Sequence, residues 1–415
     1  MVARSMPAVP RLVALDGLRG VCALVVVLSH VLRLGAISHE GAADLSAYAP
    51  LIAFAHVAVL TFFVLSGFVI GLTTQREFTA ANVREYAGRR LIRIYPIYLV
   101  GLALAYAVDP SQFTWASLVH HLGFAQVYSQ DTVVSNGSLW TLHYEVVFYA
   151  LFLLVWYLGL RPGRLALSLA AASLLLLVSG AYLLTVAAYF SLWCSGLWLA
   201  REAPDGRPSR CGPATMWLTA CAAYWAAPLG PLLIGAAPTV PAIAALGLSQ
   251  HPLQDVAVAL LIVAPVAQLA GKRVPFASIA TALVWLATAA PVAAAIRHGV
   301  APPLYWAAAA CLAIAALAVL VPLELRRTLS RLKPLGDISY GLYATHLPIV
   351  LIGLALVEPG MARWKLYAVE AGCAAAALAA AYVVEARFHR AVAGELKPLL
   401  LPGRRAAALG ERTAA

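Results

Sequence analysis

LIAFAHVAVLTFFVLSGFVIGLTT, residues 51–74, carries one ionisable side chain, His56, in 24 positions. A helix that crosses a bilayer needs about 20 consecutive apolar residues, and this stretch supplies them. Runs of the same kind recur at roughly 12–34, 94–109, 139–160, 163–180, 181–199, 214–236, 255–271, 276–296, 303–324, 337–357 and 364–386. Over all 415 residues the chain is 62% hydrophobic and 11% charged, with a mean hydropathy of +0.84. Soluble proteins carry about 25% charged residues, so too little polar surface is present to coat a water-soluble body. The same figures exclude disorder. Lipid cannot satisfy loose backbone groups, so the spans should be helices. The expectation is an all-α, polytopic membrane helix bundle of about 10–12 transmembrane helices. It forms one transmembrane domain over residues 1–390, followed by a short basic tail at 391–415. Residues 94–109 and 255–271 are short for full spans, and Ser179-Gly180 reads as a tight connection or a kink.

The net charge of +11 is distributed rather than patched. Arg76, Arg84, Arg89, Arg90 and Arg93 form one cluster, Arg161 and Arg164 a second, and Arg201, Arg207 and Arg210 a third. Lys272 and Arg273, then Arg326, Arg327, Arg331 and Lys333, then the tail complete the set. The alternate connections hold chiefly Arg33, Arg297, Arg363 and Lys365. This is the positive-inside pattern, which places both termini in the cytoplasm and removes nucleic acid as a partner. Asp16 and Arg19 interrupt the first apolar run, which reads as a retained helix rather than a cleavable signal. The six cysteines form no CxxC pair, so neither a metal site nor a disulfide framework is expected, and no bound cofactor is indicated.

Ionisable groups inside spans cost about 2.5–3.5 kcal/mol each on insertion scales and are functional candidates by default. They are Asp16, Arg19, His30, His56, His143, Glu145, Asp337 and His346. Arg19 and His30 lie about three helical turns apart on one face, roughly 16 Å along the axis. Asp16 sits one turn before Arg19 and can pair with it. Glu145 and His30 come out at comparable depth, which suits a carboxylate orienting an imidazole base. His143 points away from Glu145, about 200° around the helix. Arg90 and Arg93, one turn apart at the inner surface, suit phosphate groups, although juxtamembrane arginines also meet lipid headgroups. Ser339, Tyr343 and His346 form a polar stripe at i, i+4, i+7 spacing, lining a cavity or packing on another helix. Gly67 and Gly71 allow close helix approach, and Tyr95-Pro96 marks a helix restart. In the outer loop, Trp115, His120 and His121 read as an interfacial amphipathic turn or as contacts to a glycan.

Several of these segments resemble the membrane acyltransferase-3 family. They are Leu15-Asp16-Gly17-Leu18-Arg19-Gly20 followed by His30, and Phe62-Phe63-Val64-Leu65-Ser66-Gly67-Phe68. Arg89-Arg90-Leu91-Ile92-Arg93-Ile94-Tyr95-Pro96 is a third, and Ser138-Leu139-Trp140-Thr141-Leu142 with Glu145, Phe148 and Tyr149 a fourth. Ile338-Ser339-Tyr340-Gly341-Leu342-Tyr343 with His346 is similar to the late signature. The resemblance implies an integral membrane O-acyltransferase, expected in a bacterial inner membrane. It would move an acyl group, commonly acetyl, from cytoplasmic acyl-CoA to a hydroxyl of an extracytoplasmic carbohydrate or glycolipid. By motif position it makes His30 the catalytic histidine, Arg19 its partner and Glu145 the acidic residue, with Arg90 and Arg93 on the donor. Asp16, Ser339, Tyr343 and His346 would line the cavity. Direct transfer and an acyl-histidine route both remain open. The family commonly has ten helices, and the surplus apolar runs here fall in 214–324. The competing reading is a secondary transporter or flippase for a glycan or lipid-linked substrate. That reading predicts repeated halves with matching broken helices, a pattern the sequence lacks.

Overall fold

The computed structural model describes residues 10–40, 49–175, 181–206, 211–226, 252–299, 303–320 and 325–401. These residues are overwhelmingly helical, with no β-strand among them. Among the described residues, seven helices are long and apolar enough to cross a membrane, and Asp255–Ala270, Trp306–Val319 and Ser339–Leu354 are shorter apolar helices. The fold is an all-α polytopic membrane bundle. The expected spans 163–180 and 214–236 run partly outside the described residues, as do Ser179-Gly180, Arg207, Arg210 and the end of the basic tail.

The site is framed by α1 (Pro10–Glu40), α2 (Ala49–Thr73), α3 (Ala80–Val108), α5 (Trp140–Tyr157), α7 (Ala181–Arg201) and α14 (Ser339–Leu354). Between α3 and α5 lies the outer-loop helix α4 (Trp115–Leu122). α6 (Pro162–Leu175) packs along α7. α8 (Pro213–Ala226), α9 (Pro252–Ala270), α10 (Ala277–Arg297) and α11 (Pro303–Leu320) build the flank. The short helices α12 (Leu325–Arg331) and α13 (Lys333–Asp337) lead into α14, and α15 (Arg363–Val383) packs along α14. A π-helical turn, Val384–His389, joins α15 to α16 (Arg390–Leu400).

Two seams rest on backbone contact. A Cβ on Gly17 would lie 1.8 Å from the Leu329 carbonyl oxygen, and one on Gly336 would lie 2.0 Å from the Asp16 oxygen. The glycines of the first motif therefore let the chain before α14 lie directly on α1. Across α2 and α7 the relation is reciprocal: a Cβ on Gly67 would run into the Trp193 carbonyl oxygen, and one on Gly196 into the Val64 oxygen. Small residues of this kind are how helices close up in lipid.

The structure corrects three expectations. Arg33 is not in a connection: α1 continues to Glu40, and Arg33 is 2% exposed within it. Asp337 is not inside the membrane bundle, because the chain turns at α13; its half-exposed carboxylate accepts from Lys333 Nζ at 2.6 Å. Nor does Pro96 restart a helix. Residues 80–108 form one continuous helix that carries Arg89, Arg90 and Arg93 with Pro96 inside. A proline withholds the N–H that the carbonyl four residues earlier would use. Here that carbonyl, Ile92 O, lies 3.0 Å from His389 Nε2, which donates instead. Pro348 in α14 has the same solution: Asn136 Nδ2 donates to Ala344 O at 2.9 Å, and also to Gly101 O at 3.1 Å.

Asn136 belongs to a 3₁₀ segment, Val134–Leu139, at the end of the outer loop. α4 is the amphipathic turn expected there, with Trp115 outward and His121 buried. The buried His121 ring lies 3.2 Å from Tyr98 Oη and donates through Nε2 to Asp131 O at 3.0 Å. Burial pushes this imidazole down to about 4. His120 pairs with Asp131.

Candidate active site

A cavity of about 610 Å³ runs between α1, α2, α3, α5 and α14. Its inner end holds Asp16, Arg19, Arg89, Arg90 and Arg93, and its middle holds Ser66, Glu145, Tyr149, Ser339 and Tyr340. Phe62, Thr141 and Tyr343 line its far end. The lining carries four arginines and two carboxylates, Asp16 and Glu145, and what each arginine meets decides where positive charge is left over.

Arg19 is anchored rather than free. Its Nη2 donates to Gly336 O at 2.9 Å and lies 3.2 Å from Asp16 Oδ1, while Nε donates to Ser339 Oγ at 3.0 Å. The glycine seam brings Gly336 within reach, so the first and last motifs close on each other. Arg89 pairs with Glu85 and Arg93 with Glu385, a carboxylate only 6% exposed that also accepts from Gly341 N at 2.9 Å. Arg90 differs. Its guanidinium makes no hydrogen bond among the described residues and stands 5.7 Å from the centre of the Tyr149 ring. Glu145 Oε1 accepts from Tyr149 Oη at 2.5 Å and from Ser66 Oγ at 3.1 Å, and Ser66 Oγ accepts from Trp193 Nε1 at 3.2 Å.

His30 and His346 lie beyond the cavity's far end and do not line it. Thr141 Oγ1 donates to Tyr343 Oη at 2.9 Å, and the Phe62 and Tyr343 rings meet edge to face at 5.7 Å. His346 follows one turn after Tyr343 with ring centres 5.9 Å apart, and its Nε2 lies 3.2 Å from His30 Nδ1. The expected meeting of Glu145 and His30 does not occur. α5 begins beneath the outer loop, with Trp140, Thr141 and Leu142 already buried. Glu145 is therefore deeper than a count from a helix end at the surface gives. His143 points away as expected, with Nδ1 donating to Phe124 O at 2.5 Å and Nε2 accepting from Tyr182 Oη at 2.9 Å.

Sequence reasoning missed Glu385, which sits at the end of an apparent span 292 positions from its arginine. It also missed Asp255, whose carboxylate lies 2.8 Å from His56 Nε2 with both side chains fully buried, joining α2 to α9 outside the cavity. An acid at the first residue of an apolar run was the available signal for Asp255.

A family model for the acyltransferase domain of the acyltransferase-3 family matches residues 12–264. That is more than half of the chain, and the chain belongs to this family of membrane acyltransferases. No curated protein and no solved structure matched it. The matched range ends before α14, yet Ser339 and His346 of that helix bond to Arg19 and His30 of α1.

Proposed function

We propose that the chain transfers an acyl group from acyl-CoA, taken from the cytoplasm of a bacterial cell, to a hydroxyl of an extracytoplasmic or membrane-associated carbohydrate. The observation that carries this reading is the arginine-lined cavity leading toward the His30–His346 pair. Arg90, with no hydrogen-bond partner among the described residues, meets the CoA phosphates. The thioester arm extends past Ser339 and Glu145. His30 takes the acceptor hydroxyl's proton as its oxygen attacks the thioester carbon, and the leaving thiolate then takes that proton to give CoA-SH. Alternatively the same ring carries the acyl group between two such steps. Arg19 fixes the inner mouth through Asp16, Gly336 and Ser339. Access to His30 requires Tyr343 and Thr141 to part.

Purified protein given radiolabelled acetyl-CoA and an envelope glycan fraction should yield labelled ester. His30→Ala should remove at least 99% of that product, on the order expected for losing a general base, while leaving the protein folded in the membrane. Full transfer by His30→Ala rejects His30 as the reacting group, and movement of glycan without ester formation rejects the acyltransferase reading.

A further inference from the structure

His30 needs a partner that fixes which ring nitrogen carries its proton, and the hydrogen-bond chain around it decides the matter. Neither His30 nor His346 touches a carboxylate among the described residues, and both are buried, at 5% and 0% exposure. A neutral imidazole has one N–H donor and one lone pair. His346 Nδ1 faces two backbone carbonyls, Tyr343 O at 2.9 Å and Leu342 O at 3.2 Å. Carbonyls only accept, so Nδ1 is the protonated nitrogen and Nε2 holds the lone pair. That lone pair lies 3.2 Å from His30 Nδ1, which must therefore be the donor. The same N–H also faces Val26 O at 3.0 Å. With its proton held at Nδ1 by two acceptors, His30 has its lone pair at Nε2.

We propose that His346 is a positioning residue that sets the tautomer and ring orientation of His30, the part first assigned to Glu145. When His30 Nε2 gains a proton or an acyl group, the ring becomes cationic. Its Nδ1–H is then gripped by the His346 lone pair and the Val26 carbonyl, as a triad carboxylate grips its histidine. A neutral acceptor does this without burying a second charge in lipid. Because Val26 O remains when His346 is removed, the loss is partial. This assignment rests on the acyltransferase reading of His30, and the experiment has one arm that does not.

The first arm is kinetic. His346→Leu, with no acceptor at the Nε2 position, should lower kcat about 10–100-fold with KM for acetyl-CoA within about threefold, at the modest end of general-base effects. His346→Gln, whose side-chain oxygen can accept the His30 N–H, should recover most of the loss. Wild-type kcat in His346→Leu, or equal loss in the Leu and Gln variants, overturns the assignment. The second arm is spectroscopic. Solid-state NMR of the wild-type protein, ¹⁵N-labelled at histidine in liposomes and compared with His30→Asn to identify the His30 signals, should show His30 protonated at Nδ1. Protonation at Nε2 overturns the assignment whatever the activity. Absence of acyl transfer by the wild-type protein defeats the acyltransferase reading alone and leaves the tautomer result to stand or fall separately.

Discussion

Arg90 and Arg93 lie one helical turn apart yet in different electrostatic settings. Arg93 is neutralised by Glu385, whereas Arg90 faces the cavity beside the Tyr149 ring and forms no ion pair among the described residues. Arg90→Gln should therefore raise KM for acetyl-CoA more than tenfold while changing kcat less than about threefold. The penalty should shrink at high ionic strength, where exposed charges are screened. Steady-state kinetics at two salt concentrations checks this. Arg93→Gln should act instead on stability, because it strands a buried carboxylate. Breaking a buried pair costs about 3–5 kcal/mol, and partial exposure of Arg93 reduces this to about 2 kcal/mol. The double change Arg93→Gln with Glu385→Gln should recover part of the loss in a thermal unfolding assay. The two-arginine motif is legible in the sequence, as are Arg19, Asp16 and the polar stripe on α14. Which arginine is free is not legible, because that depends on an acid at the far end of the chain.

In two of the helices that carry an internal proline, α3 and α14, the stranded carbonyl is served from a distant element. His389 serves Ile92 O in α3, and Asn136 serves Ala344 O in α14. Asn136→Leu should destabilise the protein by about 1–3 kcal/mol, since it leaves the buried Ala344 carbonyl, which Pro348 cannot serve, without a donor. Pro348→Ala returns an N–H to Ala344 O, so the double variant should lose less than the sum of the single effects. A double-mutant cycle in thermal stability checks the coupling, and strict additivity would deny it. Helix existence follows from the apolar runs, and the close approach at Gly67 and Gly71 from small residues, although the partner helix is not written there. Continuity through Pro96 does not, because local chemistry disfavours it and tertiary contact restores it. The depth of Glu145 escaped prediction for a related reason: its helix starts under a folded loop, and residue counting assumes a helix that starts at the surface.

At the scale of the whole molecule, the charge distribution predicts that the basic connections face the cytoplasm. Five of the six cysteines are buried, and Cys211, in the connection between α7 and α8, is partly exposed. A membrane-impermeant maleimide should label inverted vesicles at Cys211 and leave intact cells unlabelled, with the signal lost in Cys211→Ser. Labelling from outside would reverse the orientation. The family match and the bundle agree at this scale, and the described helices of the surplus region, α8 to α11, build a flank beside the site rather than part of its lining. The frame around Tyr343 has a consequence for how the chamber opens. Its helix is tied to α1 at its first residue by the Arg19 fork, just after the backbone seam at Gly336, and pinned at mid-length by Asn136 to the outer loop. A helix clamped at both points cannot slide or tilt to admit a ligand. The moving part is then the phenol alone, a hinged shutter turning about its own side-chain bonds within a fixed frame. Its swing costs the Thr141 hydrogen bond and the edge contact with Phe62, and leaves the backbone of both helices where it was.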